Sequence, residues 1–390
     1  MTLKASGRGA IAPFIVMDVM RAANRRAAEG GDVLHLEVGQ PAALPPRPVL
    51  DAAQAAIDGE RLGYTEAFGL PALRQRIAGY YRDRYGVDVD PRRIVATTGS
   101  SGGFILAFLA AFDAGDRVAL ACPGYPAYRN ILKALDMEPV EVFVGPETNF
   151  QPTPELLDRL PGRLDGLMVA SPSNPTGTMV GHREMRALAD YCRDRGIRLV
   201  SDEIYHGITY GDPACSALAF DGQALVINSF SKYFCMTGWR LGWMVVPDML
   251  LRSVECLGQN LFISPPTLSQ HAAIAVFNCL DELDANVAVY ARNRALLLDR
   301  LPAAGLTRLA SADGAFYIYA DVSHLTGDTD AFCRRMLLET GVATTPGIDF
   351  DPHRGNRSIR FCFAGAEADM AEAARRLAAW SGIARTPVRK

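Results

Sequence analysis

A lysine with two hydroxyls just ahead of it and a guanidinium eight residues on is the most chemically loaded stretch of the chain. It reads Ser229-Phe-Ser231-Lys232-Tyr-Phe-Cys-Met-Thr-Gly238-Trp-Arg240-Leu-Gly242. A lysine amine condenses with an aldehyde to a Schiff base, and hydroxyls with an arginine fork grip a phosphate. An arbitrary lysine beside a packed loop is more often a solvated surface charge, so the surroundings decide. This one follows the apolar run Ala224–Asn228. It therefore sits at the C-terminal end of a strand, where open α/β sheets bind ligands.

Other segments of similar character follow other apolar runs. Asp202-Glu203-Ile204-Tyr205 closes Ile197–Ser201. A carboxylate buried there is costly unless a cation or strong donors meet it; the plainer reading is a turn or cap residue. Ser171-Pro-Ser-Asn174-Pro-Thr-Gly177 is a rigid turn by its Pro and Gly content. Thr97-Thr98-Gly99-Ser100-Ser101-Gly102-Gly103 precedes a helix expected over Phe104–Phe112. A Gly/Ser loop opening a helix offers N–H groups and hydroxyls to an anion, although most such loops are simple caps. It is not GxGxxG, which weakens a dinucleotide reading. Pro123-Gly124-Tyr125-Pro126 follows Arg117–Ala121 and reads as a turn with one packed aromatic. Arg357 and Arg360 share an otherwise apolar strand and face opposite sides of it. An inward arginine there needs an anion.

In this order and spacing the segments resemble the fold-type I pyridoxal-phosphate (PLP) aminotransferases of class I/II, the aspartate aminotransferase superfamily. The resemblance runs from about Gly39 to Arg360. It implies PLP held as a Schiff base on Lys232, with Asp202 keeping the pyridine nitrogen protonated. It implies that Tyr205 and Asn174 bond the ring's phenolic oxygen and that Tyr125 stacks on the ring. Gly99, Ser100, Ser101, Ser229 and Arg240 match the phosphate cup. Tyr64 matches a residue that reaches the phosphate of the other subunit, so a homodimer with shared sites is expected. Arg360 matches the clamp on the substrate α-carboxylate, and Gly39 the glycine over which the chain closes on the substrate. The implied reaction moves an amino group from an L-amino acid to a 2-oxo acid by ping-pong chemistry, with Lys232 carrying the Cα proton. No metal is implied.

Two readings of other classes compete: a carbon–sulfur β-lyase built on the same site, and a non-catalytic PLP-binding protein. The full catalytic set and the lack of an appended DNA-binding unit disfavour the second. A NAD-dependent dehydrogenase would need a fingerprint the chain lacks. In one subgroup acting on aspartate a lysine occupies the position matched by Ser101. Its absence, with Phe14, Ile15 and Phe262 as candidate wall residues, points to a neutral or hydrophobic substrate side chain.

The elements that must position these residues alternate. Strand-like runs at Ile94–Thr98, Arg117–Ala121, Gly166–Ala170, Ile197–Ser201, Ala224–Asn228 and Gly242–Val246 are mostly apolar on consecutive positions. That pattern suits strands covered on both faces. Helices are expected at Leu70–Tyr85, Gly181–Arg195 and Glu282–Leu301. The result is an α/β architecture: a three-layer large domain with a mostly parallel sheet, plus a smaller α+β domain. In the smaller unit a Gly314–Ala320 strand, a Thr329–Thr340 helix, an Arg357–Phe363 strand and a last helix from Glu367 are expected. Residues 1–45 read as an irregular arm joining the small unit, 46–285 as the PLP-binding unit and 286–390 as the small unit.

Composition narrows the partners. A net charge of -3 over 390 residues implies no broad attraction to nucleic acid or an anionic membrane. None of the eight cysteines forms CxxC, and no Cys/His cluster has metal-binding spacing. The opening MTLKASGRGAIAPF lacks a signal-peptide core, and no run is long enough to span a bilayer, so a cytoplasmic enzyme is expected.

Overall fold

The computed structural model describes residues 3–380. Seven strands build its main sheet: β1 (Ile94–Thr97), β2 (Arg117–Cys122), β3 (Glu138–Phe143), β4 (Gly166–Ala170), β5 (Arg198–Asp202), β6 (Leu225–Ser229) and β7 (Gly242–Val245). Their spatial order is β1-β7-β6-β5-β4-β2-β3. Only the two pairings of β7 are antiparallel. All the others are parallel. Strands β6 and β7 are buried at every position, which is why their sequences are not of the alternating kind. Helices cover the sheet, giving the α/β architecture expected.

Topology then explains why scattered motifs meet. The C-terminal ends of β1, β2, β4, β5 and β6 lie along one edge of the sheet. Because β7 runs the other way, its N-terminal end, with Arg240 just before it, joins that same edge.

Three local expectations need correction. Strand β3 has no counterpart in the sequence reading. Pro139, Glu138 and Glu141 interrupt its apolar pattern, as suits an edge strand with one solvated side. The first 45 residues are not all irregular: Ile15–Ala28 is a 14-residue helix, α1. Val16, Val19, Met20 and Ala23 carry the helical spacing, masked by the Pro-rich stretch that follows. The helix after β1 starts at Gly99, not Phe104. The Gly/Ser segment is thus the first turn of α2 (Gly99–Ala111), against its weak intrinsic propensity.

A second, antiparallel sheet contains β8 (Arg308–Leu309), β9 (Tyr317–Asp321), β10 (Thr345–Pro346) and β11 (Ser358–Cys362), in the order β10-β11-β9-β8. Arg360 is central in β11 and 2% exposed. Arg357 lies outside the strand, in an exposed 3-10 turn, so it cannot compete for an inward role. Residues Leu34–His35 pair in parallel with Val342–Ala343 and tie the segment after α1 to this part of the molecule. One continuous helix, Leu280–Arg300, spans residue 285, where the sequence reading sets the seam between units. Among the described residues no helix is long and apolar enough to cross a membrane, and no cluster of metal-ligating side chains occurs.

Candidate active site

Three residues beyond β6, Lys232 reaches into a cavity of about 200 Å³ at the ligand-binding edge of the sheet. Its Nζ donates to the Gly39 carbonyl at 2.5 Å. Burial lowers the amine to about 8, and the positive fields of Arg360 and Arg240 push the same way. The chain has four lysines, Lys4, Lys133, Lys232 and Lys390. Lys232 alone lines this cavity. A larger cleft, about 580 Å³, lies beside Arg308 and Arg354. It holds no lysine, and its buried carboxylate, Asp351, is already paired with Arg354. The smaller cavity is therefore the candidate site.

At the end of β5, Asp202 is 3% exposed, and among the described residues it makes no ion pair. It accepts from the Ile204 amide at 3.0 Å and closely from the Tyr128 hydroxyl. Burial lifts its carboxyl to about 6, opposed by these bonds and by Lys232. A buried carboxylate that faces a cavity and is in no ion pair among the described residues suits a protonated nitrogen. Tyr128 escaped the sequence reading. Its spacing from Tyr125, three residues along the first turn of α3 (Pro126–Ala134), was the available signal, since i and i+3 share a helix face. The two rings meet edge to face at 5.2 Å.

Arg360 presents the complementary case. It is buried, yet its partners are neutral: the Asn174 side-chain oxygen at 2.8 Å, the Glu37 carbonyl and the Thr345 hydroxyl at 3.2 Å. Its Nε–H has no partner. The guanidinium lies 4.4 Å from the Tyr317 ring centre and 4.7 Å from that of Phe350. A buried guanidinium lacking an anion fits an incoming carboxylate. Nearby, the Tyr205 hydroxyl lies 2.6 Å from that of Tyr317.

The phosphate-cup residues gather at the first turn of α2. Gly99 sits at φ +69°, and a Cβ on it would lie 2.6 Å from Arg240 Nη2. Glycine is what lets Arg240 approach the free N–H groups of the helix start. Ser100, Ser101 and Ser231 line the cavity. Ser229 does not reach its wall: its hydroxyl lies 3.1 Å from the Leu241 carbonyl and 2.9 Å from the Ser231 hydroxyl. Tyr125 lines the cavity, edge to face with Phe14. Tyr64 does not reach the cavity of its own chain and is 83% exposed. At the mouth stand Phe14, Val16, Met17, Val38 and Ile204. Of the three expected wall residues only Phe14 is there. Ile15 turns to the opposite side of α1, and Phe262 packs towards Gly102.

The family model described as aminotransferase class I and II matches residues 31–377. A valine–pyruvate aminotransferase of Mycobacterium tuberculosis is 53% identical over 97% of this chain and 99% of its own length. A crystal structure of an aminotransferase from that organism superposes with a TM-score of 0.96 at 52% identity, covering 97% of this chain and 99% of the other. An aspartate aminotransferase from Thermus thermophilus with maleate gives 0.91 at 31% identity, covering 97% and 100%.

Proposed function

The chain belongs to the class I and II aminotransferases, and from that premise we propose that its substrates are a neutral aliphatic amino acid and pyruvate. As a member it is a pyridoxal-phosphate enzyme that moves an amino group from an amino acid to a 2-oxo acid. When bound, pyridoxal phosphate supplies an aldehyde for the lysine amine and a ring that accepts electrons.

The residues divide the work as follows. Lys232 is the attachment point and, once free, the base that takes the substrate Cα proton and hands it on. An amine near 8 is neutral often enough at physiological pH for both tasks. Asp202 holds the proton on the ring nitrogen, and Tyr128 keeps Asp202 in place. Asn174, through its amide N–H, and Tyr205 donate to the phenolic oxygen, while Tyr125 packs on the ring. The amides of Gly99, Ser100 and Ser101, the Ser231 hydroxyl and Arg240 take the phosphate. Arg360 clamps the α-carboxylate, and Gly39 lines the closing segment. Tyr64 and Arg240 are both exposed in one chain, which supports a homodimer in which Tyr64 completes the phosphate site of the other copy. Eight free thiols support a cytoplasmic location.

The observation that carries the substrate reading is the mouth of the cavity. Five apolar or aromatic side chains stand there, and the cations that line the cavity among the described residues, Lys232, Arg240 and Arg360, already have tasks. A second carboxylate would enter unpaired. The kinship at 53% identity with a valine–pyruvate enzyme points the same way. With loaded protein, valine should convert pyruvate to alanine with a kcat/KM on the order of 100-fold above that for aspartate. Aspartate outpacing valine would overturn the assignment.

Arg360→Lys tests the clamp. It keeps the charge and loses the fork, so KM for valine should rise by about 10- to 100-fold with a smaller change in kcat. Stopped-flow half-reactions read both. An unchanged KM would move the clamp elsewhere.

A further inference from the structure

Three separate parts of the chain converge on one hydroxyl that the assignments above leave unused. Tyr317 lies on β9 of the small sheet and is 1% exposed. Its ring carries the Arg360 guanidinium, and its hydroxyl lies 2.6 Å from that of Tyr205, which follows β5 of the large sheet. The third part is the segment after α1: a Cβ on Gly39 would overlap the Tyr317 hydroxyl. We propose that Tyr317 is a positioning residue for Tyr205, donating its proton to the Tyr205 oxygen so that the Tyr205 proton is left aimed at the cofactor's phenolic oxygen. Gly39 is glycine, on this view, to admit that hydroxyl. The inference rests on the cofactor reading given above.

Each phenol has one proton and two lone pairs, so only one of the two can donate across the 2.6 Å contact. If Tyr205 donated to Tyr317, it would have nothing left for the cofactor. Burial raises both phenols, so both stay protonated and one proton lies in the contact. Arg360, Cys362, Tyr125 and Tyr128 are further titratable or charged groups around Tyr317, and Arg360 favours its giving up the proton. Lys232 Nζ lies 6.0 Å from the Tyr205 ring centre, and Asp202 ends the strand before it. A chain of two donors in a buried site strengthens its final bond. The contact also links β9 of the small sheet to the segment that follows β5 of the large one.

The test is the pH titration of the visible absorbance of the loaded protein, wild type beside Tyr317→Phe, Tyr205→Phe and the double variant. With a weaker donor the phenolic oxygen is more basic and holds the neighbouring proton to higher pH. The midpoint should rise by about 0.5 pH unit in Y317F and further in Y205F. The double variant should match Y205F, since Tyr317 acts only through Tyr205. Phe at 317 keeps the ring under Arg360, so binding of unreactive 3-methylbutanoate should change less than about twofold. If Y317F fails to fold, Gly39→Ala displaces the same hydroxyl and must raise the midpoint too. A Y317F curve superimposed on wild type, shifts that add in the double variant, or a large loss of 3-methylbutanoate binding would each overturn the proposal. Wild-type protein with no visible band on adding pyridoxal phosphate would instead sink the cofactor reading, and this inference with it.

Discussion

Replacing Lys232 with alanine should abolish the visible absorbance response to amino acids and lower kcat by at least about 10⁴-fold, the largest effect of any single change in the site. Two functions are lost together, covalent attachment and proton transfer at Cα. Among the described residues no other lysine lines the cavity, and Lys133 is exposed on α3. The variant should still bind the cofactor, because Asp202, Tyr125, Arg240 and the first turn of α2 remain. Binding by equilibrium dialysis, falling less than about 100-fold, separates lost chemistry from lost architecture. Arginine at 232 would be a weaker test, since its guanidinium stays charged. Loss of the buried amine should also spare the fold. Its lowered value shows that burial disfavours its charged form, so removing it relieves the apo protein at neutral pH. A variant that kept more than about 1% of wild-type turnover would place the attachment on another group.

What the sequence let one read follows from how local each signal is. Lys232, Asp202, Asn174 and Tyr125 stand just after strands in segments punctuated by Gly and Pro, so their place at the sheet edge could be argued from a dozen residues at a time. Arg360 needed the family resemblance, because Arg357 offered the same charge three residues earlier and only the 3-10 turn Gly355–Arg357 removes it from the strand. The misses are contacts, not elements. Tyr128 meets Asp202 across 74 positions and Tyr317 meets Tyr205 across 112, and no local pattern encodes either pairing. The Ser229 hydroxyl turns to the Leu241 carbonyl twelve residues away, a direction no local pattern encodes. Ile15 and Met17 differ by two positions on α1, yet opposite faces of the helix decide which one meets substrate. Nor did the lysine motif distinguish amino transfer from elimination; kinship at 53% identity did.

Asp202→Asn should separate function from stability in opposite directions. In the loaded enzyme, the carboxylate holds a proton on the ring nitrogen, and an amide cannot. Losing one such fixed charge at a developing charge lowers kcat by about 10²–10³-fold. The apo protein should respond otherwise. Its Asp202 carboxyl is raised from the ordinary 3.8 to about 6 by burial. A folded value above the unfolded one favours the protonated form on folding, so this group's penalty is absent below about pH 4 and grows as pH rises to about 6. Above that it destabilises the empty protein by on the order of 3 kcal/mol, an upper bound. Asparagine carries no charge to bury. Its oxygen can still accept from the Ile204 amide, and its NH₂ can donate to the Tyr128 hydroxyl in place of the bond Tyr128 now makes. The apo melting temperature at pH 7.5 should therefore rise by on the order of 2 °C, and the wild-type minus variant difference should vanish near pH 4. A variant whose apo melting temperature fell along with its activity would make Asp202 a structural residue. The rise with loss marks it as a charge kept unpaired for a ligand to meet.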